Sequence, residues 1–156
     1  MKGKDRVIDA LNELLTLELT VVNQYFLHSR MCENWGYRRL GKRFREVAFE
    51  EMKDAERIID RILFLEGVPN MQRLGAVTIG ESVPEMFRIG LEGERQALRI
   101  LGDGIKVSLE DGDDASREFF AGSLLEEEEH ADWHETELSL IERVGEANYL
   151  TQQIGG

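Results

Sequence analysis

Apolar residues recur at three- and four-residue spacing through four long segments of the chain, the period of amphipathic helices buried on one side. The first stripe reads Leu11, Leu15, Glu18, Val22, Tyr25, and the second Leu40, Phe44, Val47, Glu51, Asp54, Ile58, Leu65. The third reads Phe87, Leu91, Glu94, Leu98, Leu101, Ile105. The fourth reads Phe120, Leu124, Glu127, His130 or Ala131, His134, Leu138, Ile141. Stop and start signals bound these segments. A first helix is predicted from Asp5, as N-cap, to Trp35-Gly36, and a second from Arg38 to Glu66, before Gly67-Val68-Pro69. Ser82-Val83-Pro84-Glu85 is a capping box with an early proline; it opens a third helix that ends near Glu110 to Asp114. The fourth spans Asp114 to Val144, and "EANYLTQQIGG" leaves room for one small helix more.

The connections set the topology. Helices one and two are tightly joined, as are three and four, so each pair is expected to be antiparallel. Between two and three lie about fifteen residues with Gly67, Pro69, Gly75 and Gly80, long enough to travel the length of a bundle. The expected fold class is all-α: a four-helix bundle with one long crossover and a short C-terminal fifth helix, residues 1–156 forming one domain.

Each stripe is interrupted near its middle by ionisable residues: Glu18, Glu51, Asp54, Glu94, Glu127 and His130. A single such carboxylate reads as a solvated or ion-paired residue. Six on core stripes read differently, because an ionised carboxylate in a core costs several kcal/mol unless it is paired or binds metal. No Lys or Arg stands on the stripes to pair with them. A Glu from each of two helices with Glu-x-x-His from the other two is the pattern of a di-iron bundle. Glu127 and His130 supply one such pair; Glu51 and Asp54 have its spacing with Asp in the histidine position. Carboxylates and imidazole suit iron or manganese better than copper. Tyr25, two turns beyond Glu18, reads either as a hydrogen-bond donor to a ligand or as an amphipathic core tyrosine. His134, four residues past His130, is open to three readings: a group supporting a ligand, an alternative ligand, or a satisfied core histidine, the last being favoured.

Charge narrows the partners. The chain has 31 acidic against 19 basic residues, a net −12, which disfavours nucleic acid and anionic membranes and favours cations. The one cysteine, Cys32, excludes a Cys-rich zinc or iron–sulfur site. No apolar run approaches the roughly 18 residues of a membrane span, and "MKGKDRVIDAL" has no signal-peptide core, so a cytoplasmic location is expected.

At these residues the chain resembles the bacterioferritins, the haem-containing branch of the ferritins. The similarity covers essentially the whole chain and includes "NQYFLHSRM", "RILFLEGVPN", "IGE" and "NYL". The resemblance implies a ferritin-like fold, a 24-subunit cage, and a di-iron ferroxidase centre in each bundle that oxidises Fe(II) with O₂ or peroxide for mineral deposition. It implies a b-type haem between two subunits, held by a methionine from each, and a ferredoxin-type electron donor. By position, Met52 matches the haem ligand. From the residues alone it would be a gap-filling methionine about 100° from the stripe, on a second apolar face with Phe49, Ile59 and Leu63. Met31 and Met86 are the alternatives, as pocket lining or core. Glu18, Glu51, Glu94, Glu127 and His130 match the ferroxidase ligands. Asp54 departs from the family's His and adds a charge: five carboxylates at −5 against +4 for two Fe(II). That excess predicts uneven occupancy of the two metal positions and slower oxidation than in a variant with His restored at position 54. Glu46 and Glu50 lie where some members place an inner iron site. The other readings are a haem-binding storage subunit with an impaired centre, coassembled with a second subunit type, and a di-iron or di-manganese enzyme acting on an organic substrate.

Overall fold

The computed structural model describes residues 1–155, which form five helices. They are α1 (Asp5–Asn34), α2 (Arg38–Phe64), α3 (Val83–Glu110), α4 (Asp114–Val144) and α5 (Glu146–Thr151). α1 packs along α2 and α3 along α4, and the two pairs meet chiefly through α1 against α3. Gly36 at φ 89° and Gly112 at φ 73° make the two tight turns within the pairs, in the left-handed region that a Cβ disfavours.

Two boundaries differ from expectation. Lys4 is the N-cap of α1, with no side-chain cap bond, and Asp5 is the first helical residue, where its charge faces the positive helix end. α2 stops at Phe64 because Glu66 turns left-handed, at φ 61°, and the Gly67 N–H bonds back to the Ile62 carbonyl at 2.9 Å. The α3 start is as the capping box requires: the Glu85 N–H donates to Ser82 Oγ at 3.3 Å.

The crossover is pinned at both ends to α1. Asn12 donates to the Val68 carbonyl at 3.1 Å and accepts from the Asn70 N–H at 2.7 Å. At the far end the Gly80 N–H donates to Nε2 of buried His28 at 3.0 Å. Burial pushes His28 down to about 4, so at neutral pH its ring nitrogen is free to accept.

The apolar interior is two clusters, one around Leu11, Leu15, Ile58, Leu101 and Phe120, the other around Tyr25, Phe44, Val47, Met86 and Phe87. On α1 it is Val21, not Val22, that enters the core; Val22 is half-buried and lines an outer groove. α2 and α4 are not among the closely packed helix pairs, and polar groups bridge them: Arg57 donates to Glu126 at 2.9 Å, and Arg61 to Ser116 Oγ at 3.0 Å.

Candidate metal centre

Between the two clusters, all four long helices send ionisable side chains inward. Glu18, Glu51, Glu94 and Glu127 are each at most 2 % exposed, and Asp54 is 9 % exposed. Ligand atoms of Glu51, Glu94, Glu127 and His130 lie within 4.8 Å of one another. So do those of Glu18, Glu51, Asp54 and Glu127. Two four-residue groups therefore share Glu51 and Glu127, the arrangement that two adjacent cations with bridging carboxylates require. All six residues expected from the stripes converge here.

The buried polar atoms are left in an unusual condition. Among the described residues, six buried side-chain oxygens or nitrogens have no hydrogen-bond partner, and five belong to this cluster: Glu18 Oε2, both Glu51 oxygens, Glu127 Oε2 and His130 Nδ1. His130 Nδ1 lies 2.8 Å from Glu51 Oε1 and 3.4 Å from Glu127 Oε2, yet is not aligned to hydrogen-bond either. Atoms this close that point past one another are aimed at a common centre. A buried orphan oxygen costs about 1–3 kcal/mol, so the donor set fits a cation.

Without a cation, protons take part of that role. Burial, then the charge of Glu51, raises Glu18 well above the carboxylate range; burial and Glu127 do the same to Glu94. Burial works against a charged His130, but Glu127, Glu51 and Glu94 outweigh it and raise the imidazole to about 12. Burial also works to raise Glu127, but its neighbours Glu94 and His130 hold it below its usual value. Metal entering this site must displace protons, chiefly from Glu18, Glu94 and His130.

Three neighbours support the cluster. Glu50 lies 3.1 Å from His130 Nε2, so the imidazole is held from behind while Nδ1 faces inward. This is the usual support of a metal-binding histidine. Tyr25 is buried, its hydroxyl 2.6 Å from Glu94 Oε1 and 3.0 Å from His134 Nε2. His134 donates from Nδ1 to the His130 carbonyl at 2.7 Å, so its Nε2 is an acceptor and the ring is a satisfied core group. One phenolic hydrogen cannot serve two acceptors, and a proton on Glu94 completes the chain from Glu94 through Tyr25 to His134. Gly90 makes room for it, since a Cβ there would collide with His134 Nε2.

Asp54 is where sequence reasoning was incomplete. Its fifth negative charge is not left uncompensated: Arg57, one turn on, donates to Asp54 Oδ1 and also to Glu126. Arg57 is off the core stripe and half-exposed, so a search of the stripes passes over it. The i,i+3 spacing from Asp54 was the available signal. Burial, then Glu51 and Glu126, still raise Asp54 to about 7, with Arg57 opposing them.

On the outer face of α2, Met52 and Phe49 are half-exposed and, with Val22, Asn23, Phe26 and Ala48, line a groove of about 270 Å³. Met86 does not compete: it is 1 % exposed inside the bundle, against Cys32. Met31 is half-buried against the core.

Residues 8–144 match the family model described as "Ferritin-like domain". A protein named bacterioferritin from Streptomyces coelicolor is 46% identical over 154 residues, 99% of this chain and 92% of the relative. A bacterioferritin of Mycobacterium leprae is 44% identical over 97% of this chain and 96% of its own length. One from Brucella melitensis is 42% identical over 96% and 92%.

Proposed function

The chain belongs to the ferritin family, in its bacterioferritin branch, and from that premise we propose that it stores iron as a 24-subunit cage whose bundles oxidise Fe(II) for deposition as mineral. Storage of iron follows from the family. The observation that carries the oxidising role is the paired cluster with its five orphaned atoms. Fe(II) is the substrate. Glu51 and Glu127 would hold both ions, Glu94 and His130 one of them, and Glu18 and Asp54 the other, a reading supported by the two groups of ligand atoms that share Glu51 and Glu127. Each Fe(II) gives up one electron to O₂ or peroxide, and the Fe(III) passes to the cavity. Glu50 fixes the imidazole, and Tyr25 holds Glu94. The cage carries a large negative charge, since 24 chains at −12 amount to −288, and this draws Fe(II) inward.

Met52 from each of two chains would hold a b-type haem at a twofold subunit contact, where the group would supply electrons for mineral release, with a ferredoxin-type protein as the donor. Met52, Phe49 and Phe26 support that placement. The location is the cytoplasm; among the described residues no helix is long and apolar enough to cross a membrane. Asp54 favours one competing reading, a haem-binding storage subunit that relies on a second subunit type for oxidation. Stopped-flow oxidation by cages of this chain alone decides between them. A fast phase saturating near two Fe(II) per subunit is expected; cages that assemble and bind haem but oxidise no faster than buffer would establish the competing reading. Met52→Leu is expected to abolish the haem absorption band while cages still sediment intact; retained haem would move the ligand to another residue.

A further inference from the structure

Arg57 stands at the Asp54 half of the cluster with two acidic partners on two helices. One of its nitrogens, Nη2, donates to Asp54 Oδ1 on its own helix and to Glu126 Oε2 on α4, the latter at 2.9 Å. Asp54 is at the same time one of the four residues whose ligand atoms lie within 4.8 Å of one another around the second metal position. Its carboxylate is therefore at once a guanidinium's partner and a member of the metal-position group. In the His130 half the groups packed on the imidazole are carboxylates, Glu50, Glu51, Glu94 and Glu127, and the guanidinium there, Arg43, pairs with Glu50 at 3.3 Å.

We propose that Arg57 is an internal competitor cation that sets the affinity of the second metal position, holding Asp54 together with Glu126 when that position is empty and keeping Glu126 alone when a divalent ion arrives. The proposal rests on the reading of the cluster as a two-metal centre. Its physical content is a competition. A guanidinium bound to a carboxylate makes a strong charge-assisted hydrogen bond, and a metal claiming Asp54 must share it or break it. A positive charge beside the position also repels the incoming ion directly. Glu126 makes the exchange workable, because Arg57 stays paired when it releases Asp54. It is half-exposed, so the guanidinium can turn without repacking the core. The family's histidine at this position would offer a guanidinium no anionic partner, so the competition exists only because this chain has Asp54. The consequence is a centre with one tight and one weaker position, suited to passing an ion onward.

The test is Co(II) titration of the metal-free assembled protein by calorimetry, with wild type, Arg57→Gln, Asp54→His and the double variant. Co(II) is chosen because it samples affinity without oxidation. Wild type is expected to bind two equivalents per chain, the second more weakly. Arg57→Gln should tighten the second equivalent by about tenfold, the loss of one charge-assisted competitor. The first equivalent should move by less than about threefold, since Arg57 touches neither His130 nor Glu94. In the Asp54→His background, the same Arg57→Gln change should alter the second equivalent by no more than about twofold. An unchanged or weakened second equivalent in Arg57→Gln, with the first intact, overturns the proposal alone. So does an equal tightening in the wild-type and Asp54→His backgrounds, which would be plain long-range electrostatics. A wild type that binds no Co(II) at all overturns the two-metal reading and this proposal with it.

Discussion

The two halves of the centre share Glu51 and Glu127 but differ in what stands behind the remaining ligands. In the His130 half, the imidazole is held at Nε2 by Glu50 and Glu94 is held by Tyr25, so both ligands are aimed before metal arrives. In the Asp54 half, the group behind the carboxylate is a cation, Arg57. The same ligand chemistry is thus pre-organised in one place and contested in the other. Affinity at a metal position depends on these supporting groups as much as on the ligands themselves.

The comparison is erased most completely by Glu51→Gln, because Glu51 belongs to both halves. Co(II) affinity should fall by about 100-fold or more at both positions, seen as loss of the metal-induced rise in Tm. The metal-free protein should become less stable, because Glu51 is one of the carboxylates that hold the mostly buried His130 imidazolium, and removing one partner of a buried pair costs about 3–5 kcal/mol. A metal-free variant as stable as wild type would mean that the other carboxylates hold His130 without Glu51.

pH separates the halves next. Asp54 titrates near 7 in the folded protein, well above the ordinary 3.8. The folded state thus holds a proton that the unfolded chain has lost, and the metal-free protein should lose stability as pH rises from about 4 to about 7, by up to about 1.4 kcal/mol per pH unit. Above that range this contribution is flat. His130, raised to about 12, has stabilisation that is complete below about 6.5 and fades across the alkaline range. Urea unfolding at pH 5 and pH 8 should therefore show a smaller drop for Asp54→Asn than for wild type. Equal drops would place the ionisation elsewhere. In Co(II) titrations, affinity should rise with pH at both positions, because protons leave His130 and Glu94 in one half and Glu18 and Asp54 in the other.

The smallest expected effect sharpens the comparison from the supported side. Tyr25→Phe removes the hydroxyl between Glu94 and His134 and should cost about 1–2 kcal/mol of metal-free stability. Metal stoichiometry should stay at two, with a several-fold weakening confined to the first equivalent. A loss at the Asp54 position instead would mean that Tyr25 acts on the cluster as a whole.

The fold was legible because helix periodicity, glycine turns and the Ser82 capping box are local features. The α1 start and the α2 end moved by a residue or two because they depend on backbone geometry at Lys4 and Glu66, which side-chain preference only partly expresses. The six ionisable groups were legible for the same reason as the core. A buried stripe is a strict requirement, and a charge on it demands an explanation.

What the sequence determined by itself, then, is everything written in one helix's period: four amphipathic helices, their pairing, the long crossover, and the ring of Glu18, Glu51, Asp54, Glu94, Glu127 and His130. What only the tertiary structure decided is what meets across helices and off the stripes. Glu50 reaches His130 from α2 to α4, Tyr25 joins Glu94 to His134 through the space left by Gly90, and Arg57 claims Asp54 while holding Glu126. The physical reason is range. Hydrophobic burial selects a helix face from positions three and four apart, whereas a long flexible arginine or a hydroxyl finds its partner only once separate helices have been brought within a few ångströms.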